Sequence, residues 1–236
     1  KTKIPELFDF KDGFRKIPLK KEILSLGIPS AMEQISYNFS QTIITAIIAS
    51  LGTIAVSSKI YTQTITSFIF SIGVAAGVSG NLVIGNLYRN KEVEKIKRFG
   101  LINPNRISLI AAAVNLVLAL FGRFLVGIFT KDPEITTIVT QLLFFQILLD
   151  PMRVANEILV NSLNVLKDVK FPVVVGIITT YALVIPFSYL FVSKLGMGLR
   201  AVWIIFILDE ALRRLLFTIR FKSGKWMRIN EVDDGY

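Results

Sequence analysis

The sequence predicts an all-α integral membrane protein, on three observations. Of its 236 residues, 53% are hydrophobic, and the mean hydropathy is +0.59. That is more apolar material than a water-soluble domain of this length covers with polar surface. Uncharged apolar runs recur along the chain, each close to the roughly 20 residues that a helix needs to cross a bilayer. Lysine and arginine are concentrated in alternate connections between these runs, as in proteins that cross a membrane several times.

Six transmembrane helices are predicted, and together they form one lobe. Their approximate bounds are residues 23–51, 61–87, 107–121, 135–166, 171–191 and 201–221. We expect residues 1–22 to be a basic amphipathic cytoplasmic linker that continues from a longer polypeptide. Residues 222–236 are expected to be a cytoplasmic tail, and residues 121–135 to include a short interfacial piece. The domain division is therefore 1–22, 23–221 and 222–236.

The distribution of basic residues predicts the orientation of the lobe. Every second connection is rich in lysine and arginine, with six such residues between the second and third helices, whereas the intervening connections hold one or two. The excess of positive charge on cytoplasmic loops then places both termini in the cytoplasm. Frequent Ile, Lys and Asn suggest a bacterium of low GC content, so the expected location is the bacterial plasma membrane.

The stretch 144–172 carries ionisable residues in the middle of an apolar helix. Asp150, Arg153 and Glu157 are spaced i, i+3 and i+7, which places them on one helix face. Unpaired charges at this depth cost roughly 2.5–3.5 kcal/mol each, so we expect Arg153 to pair with both acids. One negative charge then remains, and we expect it to bind a proton or a cation. Pro151 is expected to bend the helix beside Asp150.

The first helix presents a polar stripe on an apolar background. Glu33 has no Lys or Arg within a turn, so it is a candidate for coupling to a proton or Na⁺. The other polar residues either bond neighbouring helices or line a cavity. These candidates for lining a cavity are Gln34, Tyr37, Asn38, Gln41 and, on the second helix, Gln63.

Two further groups of residues have structural and functional interpretations. Gly73 and Gly77 are expected to allow close helix packing. The sixth helix holds a charged group, with Asp209 and Glu210 each four residues before a basic residue, Arg213 and Arg214 respectively. These spacings favour two ion pairs. A neutral structural anchor and a role in gating both remain open.

Several classes of function are disfavoured. The chain has no Cys and no His, so thiol nucleophiles, histidine bases and the usual zinc sites are absent. An intramembrane aspartyl protease would need paired catalytic aspartates, and Asp150 and Asp209 lie in no such motif. The net charge of +10 lies in short loops, which fits a membrane protein better than a nucleic-acid binder. We expect no enzymatic activity and no cofactor apart from a coupling ion.

Taken in order, four stretches of the chain resemble the second half of a MATE (multidrug and toxic compound extrusion) transporter. They are GIPSAMEQISYNFSQ, LFGRFLVGIFTKDPEI, DPMRVANEILVNSLNVLKDVKFPVVVGI and LGMGLRAVWIIFILDEALRR. The resemblance implies one six-helix lobe of a twelve-helix, pseudo-symmetric antiporter. It also implies a missing N-terminal lobe, a membrane lipid environment and a cationic or amphipathic substrate exchanged for Na⁺ or H⁺.

The resemblance further implies that Glu33 and Asp150 take part in ion coupling, with Na⁺ at one of them if sodium is the coupling ion. Asp150 stands in an acid-Pro-x-Arg motif of the family, but Lys167 replaces a glycine that often precedes Asp168 in relatives. Two alternatives remain. One is a flippase for lipid-linked oligosaccharides of the same broad fold, which would need a cavity rich in Arg and Lys. The other is an isolated lobe that transports nothing.

Overall fold

The computed structural model describes residues 17–227, and every regular element in that range is helical. The side chains of residues 17–26 and of Pro29, Ser30 and Glu33 lie outside this description. The helices are α1 (Ile17–Ala49), α2 (Thr53–Arg89), α3 (Val93–Leu120), α4 (Gly122–Phe129), α5 (Pro133–Val165), α6 (Lys170–Thr179), α7 (Ile185–Tyr189) and α8 (Leu199–Ser223). Two π-helical segments, Thr180–Val184 and Leu190–Lys194, follow α6 and α7.

The observed helices correspond to the six predicted ones, with α4 as the short additional piece. Within the described residues, four helical segments are long and apolar enough to cross a membrane: Thr53–Arg89, Val93–Leu120, Pro133–Val165 and Lys170–Lys194. Helices α1 and α8 are long but fall outside this set, because they carry the polar stripe and the charged group. The all-helical class is confirmed.

Helix α5 is the centre of the lobe. It packs against α2, α3, α4 and α8, and residues along its whole length are buried, including Leu142, Val154 and Leu163. Its start is fixed by local chemistry, because the Asp132 carboxylate accepts hydrogen bonds from the backbone N–H groups of Glu134 and Ile135. Pro133 occupies the first turn, where a missing N–H leaves no bond unmade.

Two boundaries differ from the sequence prediction here, and one predicted bend remains a prediction. The stretch 144–172 is two helices, since α5 ends at Val165 and a turn with Lys167 at φ 61° leads into α6. Helix α2 begins at Thr53 rather than near residue 61. The charged Lys59 marked this part of the sequence as a connection, but it lies inside the helix, is buried and donates to Thr45 Oγ1 at 2.6 Å. Helix α5 is continuous through Pro151, so the bend predicted there remains a prediction.

The largest difference concerns α3, which begins at Val93 rather than near residue 107. The charged segment 93–106 is helical because it is amphipathic, and it buries Ile96, Gly100 and Pro104 at intervals of four residues. Hydropathy alone missed this segment, since its exposed face is rich in Lys and Arg. Pro104 lies on the buried face inside the helix.

Small residues bring α2 close to α5, as predicted. A Cβ atom at Gly73 would lie 3.0 Å from Val154 Cγ2 and 3.2 Å from its Cα. One turn further along, a Cβ at Gly77 would lie 2.9 Å from Asn161 Nδ2. The close approach therefore depends on the absence of side chains at these two positions.

Pro186 falls within the fifth predicted helix, where a proline favours a local distortion. It lies in α7, and the helix changes to π geometry on both sides of that short segment. Such π-helical turns are typical of places where a helix is locally distorted, and a proline removes one backbone donor. The helix is therefore irregular on both sides of Pro186.

Candidate functional site

A cavity of about 310 Å³ opens among α1, α2, α5, α6 and α8. Polar and charged side chains supply much of its wall, although the surrounding helices are apolar. Its lining residues are Gln34, Ser36, Tyr37, Phe70, Arg153, Asn156, Glu157, Val160, Pro172, Gly176, Ile177, Thr180, Glu210, Arg213 and Phe217. A smaller recess of about 60 Å³ adjoins it and shares Tyr37, Arg153, Thr180, Glu210 and Arg213.

Arg153 lines this cavity and links two carboxylates, Glu210 in the cavity wall and the buried Asp150. Its Nη1 atom lies 3.6 Å from Asp150 Oδ1, and its Nε atom lies 3.4 Å from Glu210 Oε1. The other oxygen of Glu210 accepts a hydrogen bond from Asn156 Nδ2 at 2.8 Å. The predicted pairing with Asp150 is confirmed, and the second partner comes from α8.

The predicted pairing of Arg153 with Glu157 is wrong. Glu157 Oε1 instead accepts a hydrogen bond from Asn161 Nδ2 at 2.9 Å, and among the described side chains no Lys or Arg forms an ion pair with it. A basic residue that precedes an acid by four positions on a helix is the less favourable order. Glu157 is therefore the surplus carboxylate that faces the cavity.

Asp150 is nearly enclosed by protein, with 3% of its surface exposed. Its Oδ2 atom makes no hydrogen bond of good geometry, its Oδ1 atom makes a long contact with Arg153, and the Asn115 side chain is a further polar neighbour. A buried carboxylate oxygen without a donor is costly while it is charged. That Asp150 binds a proton or a cation stays a prediction.

The charged group of α8 is not a self-contained anchor. The predicted pair of Asp209 with Arg213 is confirmed at 3.0 Å, and Arg213 also donates to Gly176 O and to Thr180 Oγ1. The predicted pair of Glu210 with Arg214 is wrong. Glu210 faces Arg153, and Arg214 turns the other way.

Arg214 donates to two groups outside the cavity. Its Nη1 atom bonds the carbonyl of Ala155 at 3.3 Å, and its Nη2 atom bonds Asn105 Oδ1 at 2.5 Å. The cavity side of α8 therefore carries Asp209, Glu210 and Arg213, and the two charged groups of the sequence form one network.

The polar stripe of α1 contributes one wall of the cavity. Gln34 and Tyr37 line it, Gln41 and Gln63 line the smaller recess, and Ser36 Oγ lies 3.4 Å from the hydroxyl of Tyr181. Asn38 lines neither space, and it accepts a hydrogen bond at 3.5 Å from Gln34. Glu33 belongs to α1, but its side chain lies outside the described residues, so its predicted role stays a prediction.

Three participants were missed from the sequence: Asn156, Asn161 and Thr180. Each is an uncharged polar residue, and such residues also serve helix packing in membranes. The available signal was spacing, since Asn156 and Asn161 stand three and four residues after Arg153 and Glu157. Within the described part of the chain, no group of three or more Asp, Glu, His or Cys side chains is placed to hold a metal ion. The charged groups of this site are therefore individual carboxylates and two arginines.

The fold and the cavity define a class: a helical membrane protein with a polar, carboxylate-bearing site inside an apolar lobe, as in transporters. Comparison with known families then identifies the particular one. The MatE family profile matches residues 29–190. This chain belongs to the MATE family of transporters, which confirms the resemblance found in the sequence.

Individual relatives agree with this assignment. The chain is 38% identical over 208 residues to the uncharacterized transporter YisQ of Bacillus subtilis, covering 88% of this chain and 46% of YisQ. It is 28% identical over 215 residues to the probable multidrug resistance protein NorM of Thermotoga maritima, covering 88% and 45%. The chain spans about half the length of the curated relatives that it matches.

The fold matches solved transporters at a similar coverage. The structure of the MATE transporter VcmN of Vibrio cholerae in its bent form superposes with a TM-score of 0.80 at 18% identity. The match covers 89% of this chain and 48% of VcmN. At this identity the likeness establishes the fold, which is one lobe of such a transporter.

Proposed function

We propose that this chain forms one lobe of a secondary antiporter that exports cationic or amphipathic compounds in exchange for Na⁺ or H⁺. The carrying observation is the surplus of carboxylates around the cavity. Among the described residues, Glu157, Asp209 and Glu210 line the cavity and its recess, and Asp150 is buried behind Arg153. These four carboxylates share two arginines, Arg153 and Arg213. A cavity with excess negative charge favours cations.

The mechanism follows from competition for these carboxylates. A proton or Na⁺ that binds at Asp150 or Glu157 removes negative charge from the cavity and weakens its hold on a cationic substrate. The same event releases Arg153 from Asp150 and changes the contact between α5 and α8. Binding energy that differs between two arrangements of the lobe shifts the population between them, as alternating access requires.

The flippase alternative is less well supported. A flippase for an anionic pyrophosphate needs free Arg or Lys in its cavity. The cavity is lined by two arginines, Arg153 and Arg213. Both are held by carboxylates, so neither is available to an anion.

The test is amide substitution in the full product of the gene, expressed in a host that lacks its own efflux pumps. Glu33→Gln, Asp150→Asn and Glu157→Gln should each abolish resistance to a cationic dye such as ethidium while expression is unchanged. Glu134→Gln removes an exposed carboxylate at the start of α5 and should leave resistance intact. Retained resistance in all three of these amide variants would contradict the proposal.

The coupling ion and the second lobe need separate measurements. Ethidium efflux from proteoliposomes, driven by either a sodium gradient or a pH gradient, distinguishes Na⁺ from H⁺. The intact mass of the purified natural product shows whether a second lobe shares the polypeptide, since this chain alone is 26.4 kDa. We also propose the bacterial plasma membrane with cytoplasmic termini, which protease protection of a tagged C-terminus in right-side-out and inverted vesicles would test.

A further inference from the structure

A second hollow, of about 330 Å³, lies where α2 ends and α3 begins, and it shares no lining residue with the acidic cavity. Its lining residues are Leu87, Lys95, Arg98, Phe99, Ile102, Asn103 and Arg106, with no carboxylate among them. We propose that this hollow binds the headgroup of an anionic phospholipid. The proposal does not depend on the transport activity proposed above.

The hollow has cations without partners. Glu92 and Glu94 are taken by neighbouring lysines, Lys95 at 2.5 Å and Lys97 at 3.3 Å. Arg98 and Arg106 are exposed, and neither forms an ion pair with any side chain that the structure describes. Guanidinium groups bind phosphate oxygens through paired N–H donors, so these two arginines suit a phosphodiester.

The spacing of the arginines fits one headgroup. Arg98 and Arg106 are eight residues apart on α3, which is about 12 Å along the helix axis. Arginine side chains are long enough to converge from both ends on a phosphate between them. Phe99 and Ile102 lie between the two arginines and supply an apolar floor. On the α2 side, Gly80 leaves space against Phe99, since a Cβ there would be 3.6 Å from the ring.

The surface beyond the hollow favours a lipid over a free phosphate ion. Past Arg106, α3 exposes Leu109 and Ile110, with 73% and 52% of their surfaces accessible, and α2 exposes Leu82 at 74%. Acyl chains that descend from a headgroup at Arg106 would lie along these side chains, and an inorganic phosphate would leave them uncovered. Basic hollows between membrane helices are known places for anionic lipid headgroups.

The test uses the purified protein in a neutral detergent and titrates phosphatidylglycerol or phosphatidylcholine, with binding read by native mass spectrometry and by thermal stabilisation. The test variant is Arg98→Gln with Arg106→Gln. The matched control is Lys222→Gln with Lys225→Gln, which removes two exposed charges from the same end of the lobe. These lysines flank the end of α8, where a Cβ at Gly224 would lie 3.8 Å from Lys97.

Phosphatidylglycerol should bind at least about tenfold more tightly than phosphatidylcholine, and the arginine double variant should lose about tenfold of that affinity. The lysine control should stay within about twofold of the parent. The single arginine variants should each lose about threefold, and they serve as the test if the double variant does not fold.

Three results would overturn the proposal. They are no preference for phosphatidylglycerol, equal losses in the arginine and lysine variants, and equal stabilisation by inorganic phosphate at the same concentration. The last result would identify a phosphate ion site and not a lipid site.

Discussion

Two arginines tie neighbouring elements together in this lobe, and their surroundings differ sharply. Arg220 binds Asp168 through two hydrogen bonds, of 2.6 and 3.1 Å, and its guanidinium lies 4.9 Å from the centre of the Phe171 ring. Arg153 instead divides itself between Asp150 and Glu210 at 3.6 and 3.4 Å. Arg220 therefore has one acid bound by two short hydrogen bonds, whereas Arg153 has two acids, each at a longer distance.

The difference separates an ion pair that stabilises the fold from one that is a candidate for a role in transport. Asp168 belongs to the turn between α5 and α6, and its bond to α8 closes that end of the lobe away from the acidic cavity. Arg153 lines the cavity and has two competing acids. A cation or proton that binds one acid can therefore shift Arg153 towards the other at a small cost in free energy. A matched ion pair resists rearrangement, whereas a shared arginine can serve a two-state change.

Breaking the matched pair should have the largest effect on stability. Asp168→Asn leaves the half-buried Arg220 without a counter-charge, and we expect a loss of about 3 kcal/mol in the free energy of unfolding. Thermal unfolding in detergent, followed by circular dichroism, would measure it. Transport per folded molecule should stay close to that of the parent.

The control for this prediction is Asp132→Asn at the start of α5. Asn is also a good N-cap residue, so this change should cost only a few tenths of a kcal/mol. If Asp168→Asn lowers the free energy of unfolding no more than Asp132→Asn does, the pair with Arg220 contributes little to stability.

Breaking the shared pair should have a smaller effect on stability and a greater one on transport. Glu210→Gln keeps the shape of the side chain and an oxygen for Asn156, but it removes one of two acids from Arg153. We expect a loss of about 1 kcal/mol in unfolding free energy and a marked fall in ethidium efflux, because the cavity loses negative charge. Efflux from proteoliposomes at matched protein content measures the second effect.

A companion substitution sharpens this prediction. Glu92→Gln removes an acid that pairs only with exposed Lys95, so stability and efflux should both stay near the parent values. Full efflux in Glu210→Gln would argue against a role for the shared arginine.

The sequence predicted the parts of this lobe that depend on local pattern. Apolar runs indicated the helices, and a three-residue or four-residue spacing identified the pairs Asp150–Arg153 and Asp209–Arg213. Family membership came from the order of four ordinary-looking stretches and not from any single motif.

What the sequence could not give was the arrangement between helices. Glu210 faces Arg153 because α8 packs beside α5, and no periodicity within either helix reports that contact. Glu157 was assigned the wrong partner because the charge-pair rule overlooked Asn161 one turn later. The helical start of α3 was hidden because its exposed face is charged, and hydropathy responds to the average of both faces.

The smallest expected effects come from glycines of α2 and test whether Glu157 depends on Asn161. Gly77→Ala places a methyl group 2.9 Å from Asn161 Nδ2 and should displace this amide from Glu157. The gain in helix propensity, about 1 kcal/mol, should roughly offset the crowding, so stability should change little while efflux falls. Gly85→Ala is the control, since its methyl would meet Val165 only at 4.0 Å and should leave efflux unchanged. Equal efflux in both variants would mean that Glu157 works without its amide partner, and that the surplus charge alone matters.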